Sequence, residues 1–264
     1  MGVVNVTPDS FSDGGRYLPA RDAIAHGLNL AAHGADIVDV GGESTRPGSE
    51  AIAAGAEIDR VLPVVSALAA AGVVVSVDTS KAEVALVAIG AGAEIVNDVT
   101  SFGDPDMASA CVASEVGVVL MHMQGTPQTM QVDPTYGDVV AEVAGYLERR
   151  AATAIEAGVA SDRICIDPGI GFGKTFEHNL ELLANLSSLT DGPHPVLVGP
   201  SRKHFLSRIM ELHGREGLSE RPDAATGAVV ATSIWQGAAV IRVHDVESAA
   251  DVGRVADAIV RSDR

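Results

Sequence analysis

One short pattern returns along the whole chain: a helix-like stretch, a glycine, then an apolar run of strand length. It appears at Gly34 before 35–40, Gly72 before 73–77, Gly92 before 93–99, Gly117 before 118–121 and Gly237 before 238–243. Gly158 and Gly192 precede the runs 163–166 and 195–198 at slightly longer distance. Glycine suits the left-handed position just past a helix, so it is the expected punctuation of a helix-to-strand connection. With residues 1–6 the runs number eight. They are short, β-branched and continuous, as in Val73-Val74-Val75-Ser76-Val77. Such runs indicate a parallel sheet buried on both faces. Val140, Val143, Leu147, Ala151 and Ile155 fall at helical spacing between them, as do Ile24, Leu28 and Ala31, and Val252, Val255 and Ile259. Strand and helix alternating eight times predict an α/β fold of the (β/α)8 TIM-barrel class. The 264 residues fit one such barrel, of about 250 residues, as a single domain over 1–264. A doubly wound open sheet is the alternative with the same alternation.

Charge excludes several function classes. Lysine and arginine number 18 against 35 acidic residues, a net charge of −17. That disfavours a nucleic-acid surface, which needs a basic stripe, and an anionic membrane surface. No apolar run reaches the ~18 residues of a membrane span. The start Met1-Gly2-Val3-Val4-Asn5-Val6 lacks the basic and apolar regions of a secretion signal. A cytoplasmic protein is expected. Cys111 and Cys165 have no Cys-x-x-Cys partner and read as buried reduced thiols. The stretch Ala224 to Trp235 has almost no polar face. Its apolar surface calls for a cover, either a second subunit in a homodimer or the chain's own 212–222 loop.

In a barrel the C-terminal strand ends carry function. Reading those positions alone gives Asn5, Asp39, Asp78-Thr79, Asn97-Asp98, His122, Asp167, Ser201-Arg202-Lys203 and Arg242-Val243-His244-Asp245. One polar strand end is an ordinary cap; eight converging on one mouth are not. Carboxylates ending apolar strands need donors, from a ligand or from nearby cations. The chain holds three lysines, and Lys174 and Lys203 fall here with Arg46, Arg202 and Arg242. A locally basic pocket in an acidic protein suggests an anionic substrate such as a phosphate. The helix opening at Ser201-Arg202-Lys203 offers backbone N–H groups to the same anion.

Two motifs are set aside. Gly169-Ile-Gly171-Phe-Gly173-Lys174-Thr175 resembles a nucleotide P-loop, but that motif needs glycine where Pro168 stands. It reads as a ligand-facing loop. No His-x-x-x-His or Cys-His pair marks a zinc site. His122 and His244 are candidates for hydrogen bonding to an anion rather than for metal ligation.

The segments Asn5-Val-Thr-Pro-Asp-Ser-Phe-Ser-Asp-Gly-Gly15 and Gly41-Gly-Glu-Ser-Thr-Arg-Pro-Gly48 resemble the two signatures of the dihydropteroate synthase family. Met121-His-Met-Gln-Gly-Thr-Pro-Gln-Thr-Met-Gln131, Asp167-Pro-Gly-Ile-Gly-Phe-Gly-Lys174, Ser201-Arg-Lys203 and Arg242-Val-His-Asp245 are similar to the same family, in order and at family-like spacing. The departure is the missing lead-in before the first strand, expected to affect only closure of the barrel floor.

The resemblance implies a transferase of folate synthesis, joining 6-hydroxymethyl-7,8-dihydropterin diphosphate to 4-aminobenzoate with diphosphate leaving. It also implies Mg²⁺, touched by Asn5. By the family pattern Asp78, Asn97, Asp167 and Lys203 hold the pterin. Thr45, Arg242 and His244 bind the diphosphate. Phe11, Thr45, Pro47, Phe172 and Ser201 form the aminobenzoate slot. Asp13 and Arg46 close over the reacting centre and act with Asp167 and Lys203 as the catalytic set. Sulfonamides, which mimic aminobenzoate, are expected inhibitors. Two other readings remain open at this point. One is a pterin-dependent methyltransferase, which has no use for the aminobenzoate slot. The other is a non-catalytic pterin binder.

Overall fold

The computed structural model describes residues 1–7, 20–46, 48–214 and 223–262, so Phe11, Asp13 and Pro47 lie outside the described residues. Among the described residues eight strands run β1 Gly2–Asn5, β2 Val38–Gly41, β3 Val75–Asp78, β4 Ile95–Asp98, β5 Gly117–Met121, β6 Ile164–Asp167, β7 Leu197–Val198 and β8 Val240–Ile241. The helices are α1 Ala20–Ala32, α2 Ala54–Ala70, α3 Ala82–Gly90, α4 Met107–Ser114, α5 Val139–Glu156, α6 Phe176–Ala184, α7 Ser187–Thr190, α8 His204–Leu212, α9 Asp223–Trp235 and α10 Val246–Ser262.

Strands β1 to β6 form one parallel sheet in chain order, and β7 pairs with β8. Parallel bridges Ile166 to Val196 and Gly2 to Val243 join the two and close the barrel. Val3 N donates to Val243 O at 3.1 Å and Ile166 N to Pro195 O at 2.9 Å. The open doubly wound alternative is thereby excluded, since an open sheet leaves its first and last strands unpaired.

The strands near the mouth alternate, contrary to the continuous apolar reading. In β2 and β3, Val38, Val40, Val75 and Val77 are fully buried with the surrounding helices in the apolar core. Side chains two apart share a face, so Asp39 and Gly41, Ser76 and Asp78, and Val3 and Asn5 turn inward. The interior is a ligand cavity here, and polar residues face it. Register then sets Asn5, Gly41, Asp78 and Asn97 side by side in one row across four strands.

Gly34, Gly72, Gly92, Gly158 and Gly237 take positive φ of 79–107°, as the repeat requires. At the α4–β5 connection Glu115 takes the left-handed position at φ 52°, and Gly117 is instead the first strand residue. Helix α5 buries Val139, Val143, Leu147, Ala151 and Ala154, and the Asp138 side chain accepts from Ala141 N to cap it. Two predicted stripes hold in part: Ile24 and Ala31 of α1 and Val252 of α10 pack against the core, the rest do not. Helix α1 buries Ala23, Gly27 and Leu30 and leaves Leu28 exposed; α10 buries Val246 and Ala256 and exposes Val255 and Ile259. Small residues let these helices approach closely, so the larger apolar side chains lie outside. Helix α9 buries only its Thr226, Val230 and Ser233 face and leaves Trp235 exposed at 58%. No helix among the described residues is long and apolar enough to cross a membrane.

Candidate active site

The strand ends meet over one cavity of about 860 Å³, lined by Asn5 from β1, Thr45 and Arg46 after β2, Asp78 from β3 and Phe172 after β6. Ser201 and Lys203 after β7 and Arg242 and His244 after β8 complete it. A narrow recess sharing the Asp78, Phe172, Lys203 and Arg242 walls is lined by Asn97 and Asp167. The structure therefore brings together every described residue that the sequence assigned to the site. Among the wider strand-end candidates, Asp39, Thr79, Asp98, His122 and Asp245 line neither space. His122 is the one furthest from its expected task of meeting an anion. It is buried behind the β6–α6 loop, edge-on to Tyr146, and lines neither space.

The floor is a network of buried charge. Arg242 Nε donates to Asp39 Oδ2 at 2.6 Å, and Arg242 Nη2 donates to Asp78 Oδ2 at 2.7 Å. Asn97 Nδ2 donates to the same Asp39 oxygen at 3.1 Å. Asp39 is wholly buried. Sequence reasoning saw it as one more polar strand end and gave it no task. Its place two residues before Gly41, in an inward-facing position, was the available signal. One carboxylate oxygen thus orients both a pterin-site amide and a guanidinium.

Burial sets the protonation of these groups. It pushes Asp78 up to about 7, with Arg242 opposing and the Asp39 carboxylate adding to the rise. Asp167 is also raised by burial, against the hydrogen bond from Gly169 N and the pull of Lys203. Lys203 is pulled down to about 8 by burial and by Arg242. Burial opposes the charge on Arg242 too, but Asp39 and Asp78 outweigh it and hold its pKa above the usual value. His244 falls to about 3 through burial and the cations Arg202, Arg242, Lys203 and Arg46. It is neutral near pH 7, with Nδ1 3.1 Å from Ser201 Oγ. The rim is basic and the floor acidic. A ligand that spans the two is an anion at one end and a hydrogen-bond donor at the other.

The loops are tied at their bases. Lys81 Nζ donates to Glu43 and to the buried Glu57, and Glu43 Oε2 also accepts from Ile52 N at 3.1 Å. This staples the two ends of the loop that carries Thr45 and Arg46. Lys174, expected at the basic mouth, lines the cavity but turns its ammonium inward, onto His122 Nδ1 at 2.9 Å and Phe172 O at 2.9 Å. The Gly169–Gly173 run has positive φ at all three glycines. A methyl group at Gly169 would stand 1.9 Å from the His122 carbonyl oxygen, so the chain passes there only as glycine. Both thiols are raised to about 12 by burial, Cys111 being buried and Cys165 half-buried.

Residues 1–244 match the family described as pterin binding enzyme. Dihydropteroate synthase of Mycobacterium leprae is 47% identical over 264 residues, covering 98% of this chain and 92% of that protein. A structure of Xanthomonas albilineans dihydropteroate synthase with 4-aminobenzoic acid superposes with a TM-score of 0.89 at 45% identity, over 98% of this chain and 91% of that one. The same enzyme in complex with 7,8-dihydropteroate gives 0.86 at 43%, over 98% and 92%. The Yersinia pestis enzyme with a sulfonamide drug complex gives 0.90 at 39%, over 100% and 93%.

Proposed function

This chain belongs to the dihydropteroate synthase family of pterin binding enzymes, and on that premise we propose how its cavity performs the family's reaction. It is a transferase that condenses 6-hydroxymethyl-7,8-dihydropterin diphosphate with 4-aminobenzoate, giving 7,8-dihydropteroate and diphosphate in folate synthesis.

The division of one cavity into an acidic floor and a basic rim carries the assignment of roles. A pterin edge bears amino and ring N–H donors beside carbonyl and ring nitrogen acceptors. Asp78, Asn97 and Asp167 meet the donors, and Lys203 meets an acceptor. Thr45, Arg242 and neutral His244 take the diphosphate, with the backbone N–H groups that open α8. Phe172, Ser201 and Thr45 line the aminobenzoate slot, to which Phe11 and Pro47 are assigned from the sequence alone. Arg46 and, again from the sequence alone, Asp13 close over the reacting carbon.

The bond that breaks is C–O, with its electron pair leaving on diphosphate. The attacking aromatic amine is a weak nucleophile. Leaving-group stabilisation by Arg242, the rim cations and the helix start therefore matters more than a strong base. The carboxylates beneath the pterin stabilise positive charge at the methylene carbon, and a dissociative path follows. The amine then forms the C–N bond and loses its proton. Loop closure excludes water from the cation. Rates that do not rise with the nucleophilicity of substituted aminobenzoates support this path; a steep rise refutes it.

Mg²⁺ is part of the same proposal. Among the described residues no group of three or more His, Cys, Asp and Glu could hold a metal, whereas Asn5 brings a neutral amide oxygen to the cavity. One protein oxygen suits Mg²⁺, which keeps several waters and binds mainly through substrate phosphates. When bound, it neutralises charge on the leaving diphosphate. We assign the chain to the cytoplasm as a single barrel domain. The exposed α9 face with Trp235 is assigned to a homodimer contact. Sulfonamides are expected to compete in the aminobenzoate slot.

The decisive experiment supplies purified protein with pterin diphosphate, 4-aminobenzoate and Mg²⁺ and follows dihydropteroate and diphosphate, beside Asp167→Asn and Lys203→Ala. Turnover in the parent and its loss in both variants is expected. Pterin binding without turnover would instead mark a non-catalytic binder.

A further inference from the structure

Three consecutive carbonyls of the β6–α6 loop are each held by a different side-chain donor. Gln131 Nε2 donates to Gly171 O at 3.0 Å, Lys174 Nζ to Phe172 O at 2.9 Å, and Tyr136 Oη to Gly173 O at 2.7 Å. Two of the donors come from the β5–α5 loop, which closes on itself where Gln124 Nε2 donates to Thr135 O at 3.0 Å and Gln124 Oε1 accepts from Thr135 N at 3.1 Å. The third donor is the buried Lys174 Nζ, whose pKa burial pulls down to about 7. It donates to His122 O and Phe172 O and lies 2.9 Å from His122 Nδ1. No carboxylate is among these partners. The ring so fixed is Phe172, with Lys203 Nζ 3.9 Å from its centroid.

A loop with three left-handed glycines has many alternative conformations in isolation. Phe172 would then have no fixed place against the cavity. Capping three successive carbonyls removes that freedom, because each alternative leaves a donor or a carbonyl unpaired. We propose that Tyr136, Gln131 and Lys174 form a latch that positions Phe172, so that the β5–α5 loop sets the affinity of the aminobenzoate slot through the placement of that ring. The inference rests on the reading above that Phe172 walls that slot. Tyr136, Gln131 and Lys174 are positioning residues in this scheme.

Tyr136→Phe tests it with the least disturbance. It removes one hydroxyl and keeps the ring stacked edge-on to His178. Loss of one such hydrogen bond is expected to raise KM for 4-aminobenzoate about 2- to 10-fold, leaving the dissociation constant of the pterin substrate unchanged. Amide hydrogen exchange over 169–175 should speed up in the same variant. A mutant cycle then asks whether Tyr136 acts through the ring. In a Phe172→Ala background, Tyr136→Phe should leave KM where Phe172→Ala alone puts it. Full additivity of the two KM effects, an unchanged KM, or a pterin constant that moves in step with KM would each overturn the proposal. If the parent makes no dihydropteroate, the synthase reading fails by itself. Exchange then judges the latch, and unchanged exchange over 169–175 in Tyr136→Phe refutes it.

Discussion

Replacing Arg242 by methionine isolates the buried charge network at the base of the cavity. The substitution keeps an unbranched stem of similar length and removes the guanidinium. Asp39, with no exposed surface, is left with the neutral donor Asn97 Nδ2, and its Oδ1 already lacks a partner among the described residues. Asp78 loses its 2.7 Å contact at the same time. Breaking one side of a buried ion pair costs roughly 3–5 kcal/mol, because the remaining charge is stranded. At about 2–4 °C per kcal/mol for a chain near this size, the ligand-free melting temperature should fall about 6–20 °C. Removing both charges is cheaper than removing one. Asp39→Asn combined with Arg242→Met should therefore recover part of that loss, a coupling of at least ~1 kcal/mol in a urea-unfolding cycle. The pH dependence has a definite sign. Arg242 is what holds the raised Asp78 carboxyl down, so its removal lets that pKa climb further. A carboxyl raised in the folded state favours folding below its unfolded pKa and loses that advantage as pH rises through its folded value. Arg242→Met should thus be more damaging near pH 8 than near pH 5.5, by linkage. A loss below ~1 kcal/mol, or strict additivity in the cycle, would refute the charge-stranding argument.

Three further predictions concern binding, backbone and assembly. Pterin recognition needs Asp78 ionised to accept and Lys203 protonated to donate, and burial sets these at about 7 and about 8. Affinity measured by calorimetry should peak between the two, falling below as Asp78 takes up its proton and above as Lys203 loses one. Lys203→Met should abolish the alkaline limb alone; an unchanged alkaline limb would rule out Lys203 as its source. Gly169→Ala would drive a methyl into the His122 carbonyl at φ +65°, whereas Gly72→Ala at φ +79° meets nothing within 4 Å. Gly72→Ala should cost roughly 1–2 kcal/mol and Gly169→Ala more than about 4, read from denaturant midpoints. Similar costs at the two sites would show that the close approach does not matter. For the dimer, Trp235→Glu places a charge on the exposed α9 face and should shift the mass seen by light scattering from dimer to monomer. A parent that is already a monomer would exclude that contact.

Much of the molecule is written in neighbouring residues. Glycine marks five of the helix-to-strand turns, at Gly34, Gly72, Gly92, Gly158 and Gly237, because only the residues beside a turn decide whether it closes. Polar residues at the strand ends mark the mouth, and every described residue that the family resemblance assigned to the site lines one cavity or its recess. Other features were not legible. The stripes of α1 and α10 were read only in part, with Leu28, Val255 and Ile259 exposed, because alanine and glycine, weak signals of burial in a sequence, are what close helix packing selects. Lys174 read as a cation for the mouth, and only the path of the glycine run turns it onto His122 and Phe172. Asp39 looked like one more polar strand end. Its task exists only once β8 returns beside β1 and carries Arg242 to it from 203 residues away. Local turn and strand preferences need only adjacent side chains. The row of Asn5, Gly41, Asp78 and Asn97, and the charge network below it, needs the register and closure of the whole barrel. Those follow from long-range hydrogen bonding and packing that no local stretch of sequence contains.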